Sequence, residues 1–290
     1  MDEDARIFEA ERQRLTAICY RMLGERSAAE DTVQDTWMKW ADADQRAISS
    51  PAAWLTRVAT RLAIDALRSA RARRETYVGP WLPEPLVSTG DQPVEASFIQ
   101  AQECGLALLW AMERLDASER AAFILREAFD AEYSEIGDVL QKSEAACRQM
   151  VSRARKRVQS SGPRFDVPNA QIADLMGRFI AATSARDFEA VKQLLSPTSV
   201  AVSDGGANKP AARRPLVGPA EIAQVLFSLL DKYRGLSHWQ LEPCQANGAP
   251  ALISRVNGGV DAIITMMPDD TGTIAWLYSL RAPEKLRGLN

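Results

Sequence analysis

The residues best suited to chemistry are basic, and they gather on one helix. Ser143 can cap a helix in which Cys147, Val151, Ala154 and Val158 recur at helical spacing, an apolar stripe beneath Arg148, Arg153, Arg155, Lys156 and Arg157. A shorter helix, Ser134 to Leu140, precedes it, with only Gln141 and Lys142 between. Two helices so joined form a helix-turn-helix candidate whose second helix would enter a DNA major groove. That geometry brings Ser143, Glu144, Ala145, Arg148, Gln149 and Ser152 towards base edges and leaves Arg153, Arg155 and Lys156 to phosphates. Arginine can make a bidentate contact with guanine and glutamine with adenine, each worth about 1–3 kcal/mol of discrimination. Arg148 and Gln149 are therefore the specificity candidates. A solvated basic surface is the competing reading, and the residues alone leave both open.

Two further constellations have the same ambiguity. Arg57, Arg61 and Arg68 share one side of a helix opening at Ser50-Pro51, where proline suits a first turn. They would replace counterions along a DNA backbone. Asp65, four residues after Arg61 and three before Arg68, offers ordinary helical ion pairs instead. Glu30, Asp31, Gln34 and Asp35 lie on a helix opposite Val33, Trp37 and Trp40, and form either an interface or a solvated face.

Catalytic and metal chemistry find little support. Cys19, Cys104, Cys147 and Cys244 are far apart without a CxxC pair, and His238 is the only histidine. No standard zinc site can be assembled, no cofactor is called for, and a reducing compartment fits best. His238 has Trp239 beside it but no carboxylate at local spacing. Asp204 could act as a base, yet Asp204-Gly205-Gly206 reads first as turn chemistry.

These groups are positioned by a chain of 290 residues, enough for two or three cores. Its formal net charge of -3 excludes a uniformly basic coat while allowing local basic faces. No apolar run approaches the roughly 18–20 residues of a membrane helix, and Met-Asp-Glu-Asp lacks a basic n-region, so neither membrane insertion nor secretion is expected. Pro-rich or Gly-rich breaks at Tyr77 to Pro93 and Ser160 to Pro168 suggest three modules. The first holds a helix from Ile7 to Leu23 ending at Gly24. A second helix opens on the capping-box pattern Ser27 to Glu30, and a third has Leu55, Val58 and Leu62 on its apolar side. In the second module Asp116 to Glu119 is again a capping box, with Phe123, Ile124 and Leu125 behind it. The third module opens with helices from about Asn169 to Ala185 and from Asp187 to Leu195, the latter anchored by Phe188, Val191 and Leu194. Gly218-Pro219 starts another helix, with Ile222, Val225, Leu226 and Leu229 as its buried face. Strands Ala251 to Val256 and Val260 to Met267 meet at Asn257-Gly258, and Thr273 to Leu280 completes an antiparallel meander. A curved sheet over helices follows.

Ala29 to Trp37 resembles the conserved region 2 helix of bacterial extracytoplasmic-function (ECF) sigma factors. Ser50 to Leu55 and on through Arg74 resembles the helix that reads the promoter −10 element. Leu115 to Arg126 with Tyr133 to Arg155 resembles the −35 reading domain. Tyr77 to Pro85 is similar to the linker of the SigJ-like subgroup, which carries a SnoaL-like C-terminal extension. Cys147 to Gln149 with Val151 to Ala154, Asp204 to Gly206 and Ala282 to Leu286 are similar to further segments of that subgroup. The pattern departs at Ala207-Asn208, which lengthens the loop before Lys209, at Ala282 and Glu284, and at Gln141, where glycine is usual.

The resemblance implies a multidomain fold. Two all-α sigma domains, a sigma-2 helical bundle (1–75) and a sigma-4 helix-turn-helix (96–160), would flank a Pro-rich linker (76–95), with an α+β SnoaL/NTF2-like cone (168–290) after them. It implies that Glu30, Asp31, Gln34 and Asp35 dock on the β′ clamp helices of RNA polymerase core. Ser50, Ala52, Arg57, Arg61 and Arg68 would serve the −10 element, with Ala47 to Ala53 resembling the loop that captures a flipped base. Trp81, Pro83, Glu84, Pro85, Asp204, Gly205, Gly206 and Lys209 would join the linker to the extension, Trp81 as a buried anchor. The expected protein is a cytoplasmic, non-enzymatic sigma factor that needs no separate anti-sigma factor, because its own extension regulates it. A polymerase-independent regulator with a ligand-sensing C-terminal domain is one rival. An enzyme with an N-terminal targeting module is the other.

Overall fold

The computed structural model describes residues 3–74, 77, 79–89, 94–160, 167–234 and 238–289. Of the expected breaks, residues 90–93 and 161–166 lie outside the described residues, as do 75–76 and 78. Two compact units emerge where three modules were expected. One comprises residues 1–75, 94–104 and 108–161; the other comprises 76–93, 105–107 and 162–290. The helical segments on either side of the linker thus fold together, and the linker belongs with the C-terminal unit.

In the first unit α1 (Glu3–Leu23), α2 (Arg26–Ala41) and α3 (Pro51–Arg74) surround a core containing Phe8, Leu15, Ile18, Tyr20, Trp40, Leu55 and Leu67. Trp40 is fully buried, satisfies its indole N–H on the Asp4 carbonyl at 3.0 Å, and packs on Trp54. α1 starts a turn earlier than its apolar pattern, and Gly24 ends it at φ 71°. α2 also starts early: Glu25 is its N-cap, so Ser27 lies inside the first turn and forms no capping box. α3 buries Leu55, Ala59, Ala63, Ile64 and Leu67, leaving Val58 and Leu62 half-buried. The small Ala59 and Ala63 let that face approach its neighbours more closely than the bulkier pair would.

A short α4 (Leu106–Ala111) leads to α5 (Ala117–Phe129), α6 (Tyr133–Leu140) and α7 (Glu144–Gln159). The Asp116/Glu119 capping box is formed, and Ser143 Oγ accepts the Ala146 N–H at 3.3 Å. Between α6 and α7, Gln141 takes the left-handed conformation at φ 54°, ψ 48°, as its glycine-like turn position requires.

The C-terminal unit wraps a seven-stranded sheet over helices. β1 (Val87–Ser88) comes from the linker; then follow α8 (Asn169–Ser184), α9 (Phe188–Leu194), β2 (Leu195–Asp204), β3 (Leu216–Val217) and α10 (Pro219–Arg234). β4 (Trp239–Ala246), β5 (Ala249–Val256), β6 (Gly259–Pro268) and β7 (Ile274–Leu280) complete it in the order β1-β4-β5-β6-β7-β2-β3. The antiparallel meander holds from β4 to β7, but β2 lies parallel to β7, a pairing permitted by the long intervening chain. The Asn257-Gly258 turn has the positive φ angles expected, 51° and 82°. Two apolar assignments change. Phe188 is an exposed side chain with its ring on Phe227, and Val225, Leu226 and Leu229 are only half-buried because they wall a cavity.

Candidate nucleic-acid interface and linker clamp

The helix-turn-helix presents its candidate face to solvent. Ser143, Glu144, Ala145, Arg148, Gln149, Ser152, Arg153, Arg155 and Lys156 are all exposed, while Cys147, Met150, Val151, Ala154 and Val158 bury the opposite stripe. Arg148 pairs with Glu144 at 2.5 Å and lies over the Tyr133 ring. Arg155 pairs with Glu127 at 2.6 Å, and Arg153 lies 3.6 Å from the nearly buried Glu119 carboxylate. The Arg148 and Arg155 pairs, exposed to solvent, contribute at most about 1 kcal/mol each, so they hold these arginines in place without withholding them from phosphates. The turn depends on Gly137, where an added Cβ would come within 2.7 Å of the Lys142 carbonyl oxygen. Gly137→Ala is expected to destabilise the chain by about 1–3 kcal/mol through overpacking, with helix content retained; denaturant unfolding checks this.

On α2 the side chains of Glu30, Asp31, Gln34 and Asp35 are exposed together, opposite buried Val33 and Trp40. The α3 set is divided. Ser50 and Arg68 are exposed, Arg68 with Asp65 at 3.5 Å, so the local ion pair considered from spacing is present. Ser50, Ala52 and Arg57 line a cleft of about 520 Å³ whose other wall includes Leu125, Glu135 and Asp138. Arg61 donates to the Asp138 and Val139 carbonyls, each at 2.8 Å, in the last turn of α6. A guanidinium at a helix C-terminus satisfies orphan carbonyls and the negative end of the dipole. The middle of the α3 arginine face therefore packs on α6, while Arg68 and the recognition face of α7 remain exposed.

The same packing continues inside. Arg120 of α5 is fully buried, donates from Nε to the Arg21 carbonyl at 3.0 Å, and pairs with Glu113. Arg74 at the end of α3 reaches Glu113 at 3.1 Å and Glu25 at 3.2 Å. Arg61, 78 residues from its partner carbonyl, Arg120 and Arg74 make long-range bonds with no local sequence signal.

In the C-terminal unit the linker is clamped. Asp204, at the end of β2, is 1% exposed and its carboxylate accepts from the Tyr77 hydroxyl (2.6 Å), the Leu82 N–H (2.9 Å), the Gly206 N–H (2.9 Å) and the Lys285 ammonium (2.7 Å). Lys285 also donates to the Leu82 carbonyl at 2.6 Å and sits over the Trp81 and Tyr77 rings. Further along, the Leu86 N–H donates to Asn247 at 3.0 Å, and Val87–Ser88 adds β1 beside β4. Trp81 and Glu84 are half-buried; Pro83 and Pro85 are buried. Gly206 has φ 62°, a left-handed conformation that favours glycine, and lies against the exposed Glu284 carboxylate of the terminal segment. Gly205 is crowded, since a Cβ there would meet the Lys209 carbonyl.

Lys209 does not join this cluster. The turn closed by its N–H on the Gly205 carbonyl, which spans the additional Ala207-Asn208, sends its ammonium to Asp261 at 2.7 Å. Lys285 takes the place at Asp204; its terminal segment carried the available signal, but no spacing tied it to Asp204. All four donors around the Asp204 carboxylate come from the linker, its own loop and the terminal segment, so it is engaged in holding these together. His238 is exposed in the turn before β4. Among the described residues no helix is long and apolar enough to cross a membrane, and no group of His, Cys, Asp and Glu is placed to hold a metal ion.

Comparison with known proteins gives a consistent result. Residues 7–73 match the sigma-70 region 2 family and residues 106–158 the sigma-70 region 4 family. The chain is 35% identical to the ECF RNA polymerase sigma factor SigJ of Mycobacterium tuberculosis, over 97% of this chain and 92% of that protein. It is 27% identical to the probable ECF RNA polymerase sigma factor SigI of the same species, over 96% and 93%. The crystal structure of SigJ superposes with a TM-score of 0.78 at 32% identity, covering 97% of each chain.

Proposed function

The chain belongs to the extracytoplasmic-function sigma factors of RNA polymerase, and from that premise we propose which of its surfaces do the work. Sigma factors bind polymerase core and promoter DNA and are not themselves enzymes. In this chain the exposed face of α7 would read the −35 element, with Arg148 and Gln149 at base edges and Arg153, Arg155 and Lys156 on phosphates. Ser50, Ala52, Arg57, Arg61 and Arg68 would serve the −10 element. The acidic face of α2, Glu30, Asp31, Gln34 and Asp35, would dock on the core's β′ clamp, in the cytoplasm where polymerase and promoter are found.

The carrying observation is the pairing of Arg61 with the last carbonyls of α6. In the free chain this arginine is bonded to α6 and the cleft beside it is walled by α5 and α6, so the middle of the −10 surface is not free to meet a duplex while Ser50 and Arg68 stay exposed. Binding of core would separate the two readers and set them at promoter spacing. Regulation would come from the C-terminal domain, which grips the linker through Asp204 and Lys285, with no separate anti-sigma factor and no catalytic step. The engagement of the Asp204 carboxylate by Lys285 and three other donors supports the non-catalytic reading.

Asp35→Lys tests the docking face. It is exposed, so the fold should be unaffected, while charge reversal at a charged interface is expected to weaken core affinity by about tenfold or more. Titration of fluorescently labelled chain against core polymerase measures this, and an unchanged Kd would remove Asp35 from the interface.

A further inference from the structure

The C-terminal unit encloses a cavity of about 400 Å³ between α8, α10 and the concave face of the sheet. This lies within the roughly 300–1,000 Å³ range of small-molecule sites. Its walls are mostly apolar, with Phe179, Val225, Leu226, Leu229, Leu252 and Leu277 prominent. They leave α10 half-buried on the side that faces the sheet, although burying the same residues in a filled core would be more stabilising.

One end of this cavity is polar. Ser203 of β2 and Ser279 of β7 are register partners on adjacent parallel strands, and both line the cavity. Arg281 follows two residues beyond Ser279 and lines the same wall, as does Tyr233 of α10. Behind them Asp261 accepts from Tyr233 Oη at 2.5 Å, Lys209 Nζ at 2.7 Å and Arg281 Nη2 at 3.1 Å. Burial raises the Asp261 pKa, but the hydrogen bonds from Lys209 and Tyr233 and the Arg281 charge outweigh it and bring it below the usual range. Two cations thus face one carboxylate, leaving an excess of positive charge at this end. Arg281 Nε is buried and has no hydrogen-bond partner among the described residues. An unsatisfied buried guanidinium N–H is costly, so an acceptor that draws the Arg281 side chain towards the cavity would remove that cost.

We propose that this cavity binds a small apolar carboxylic acid, its hydrocarbon body among the α8 and α10 side chains and its carboxylate against Arg281, Ser203 and Ser279. A neutral molecule would bury its body but leave the excess charge uncompensated. A cationic one would be repelled by Arg281. The inference concerns the C-terminal domain alone and stands whether or not the surfaces assigned to DNA and polymerase are correct.

The test uses the full-length chain with decanoate, 1-decanol and decylammonium as probes, followed by isothermal titration calorimetry and by the thermal midpoint. Decanoate is expected to bind one per chain and to raise the midpoint, decanol to bind about tenfold more weakly, and decylammonium to give no signal. Arg281→Met should weaken decanoate by about tenfold while leaving decanol unchanged. Leu226→Trp, which fills the cavity from α10 without touching the polar end, should abolish both; circular dichroism verifies that each variant is folded. Absence of decanoate binding, equal affinity for decanoate and decanol, or decanoate binding retained by folded Leu226→Trp would each overturn the proposal.

Discussion

Lys285→Met is expected to remove about 3–5 kcal/mol from the stability of the C-terminal unit, since it strands a buried carboxylate. Asp204 is 1% and the Lys285 side chain 7% exposed, so water cannot replace the ammonium without local opening. The Leu82 carbonyl also loses its donor. For a unit of this size such a loss corresponds to a fall in thermal midpoint of about 10 °C. The linker should be released as well, because Tyr77 and Leu82 reach the domain through the same carboxylate. Limited proteolysis is therefore expected to cut near Leu82 in the variant before it cuts the parent. Asp204→Asn with Lys285→Met should recover part of the loss, because no unpaired charge remains, and the double-mutant cycle separates the pair from the packing of each side chain. A midpoint shift of only a degree or two would show that the clamp carries little of the unit's stability.

Arg148→Ala has the largest expected effect on recognition. The side chain is exposed and its local partners are Glu144 and the Tyr133 ring, so folding stability should change by no more than about 0.5 kcal/mol. Removing a two-pronged hydrogen bond to a base costs about 1–3 kcal/mol, equivalent to roughly five- to 150-fold weaker holoenzyme binding at its preferred promoter. The preference at one −35 position should relax while the others persist. Arg155→Ala provides the contrast: it deprives one phosphate of its cation whatever the sequence, so binding weakens uniformly and the salt slope of log affinity falls by about 0.9. A selection of random −35 sequences by the two variant holoenzymes measures both. If Arg148→Ala leaves the selected sequence unchanged, it does not read bases.

The features legible in the sequence are those whose causes are local. The Asp116/Glu119 capping box, the Ser143 cap, proline in the first turn of α3 and the Asn257-Gly258 turn each follow from residues within a few positions of one another. The left-handed Gln141 was legible only through the resemblance, as the position where glycine is usual. Where local and tertiary preferences competed, the tertiary one prevailed. Ser27 to Glu30 had the letters of a capping box, but the turn at Gly24 starts α2 before Ser27. The apolar side of α3 shifted to small alanines that permit close packing. Strands β1, β2, β3 and β4 were not anticipated. β1 has only two residues and exists because β4 is beside it, and β2 pairs in parallel with a strand far along the chain.

Long-range polar interactions were the least legible part of the site. Asp204 and the glycines after it could be picked out by resemblance, but its partners Tyr77 and Lys285 are 127 and 81 residues away. Lys209, which the resemblance grouped with Asp204 among the residues joining linker and extension, instead serves Asp261. The mutual covering of α3 and α6 is likewise invisible to periodicity, because Arg61 bonds backbone carbonyls that every helix ends with.

We propose that this chain reads a promoter only when polymerase core separates its two helical readers. Footprinting of one promoter fragment by the chain alone and by the chain with core tests it most directly, with run-off transcription from the same template. Protection of both −10 and −35 elements and a defined transcript are expected with core present, and neither from the chain alone at the same concentration. Tight, selective protection of the promoter by the isolated chain would contradict it.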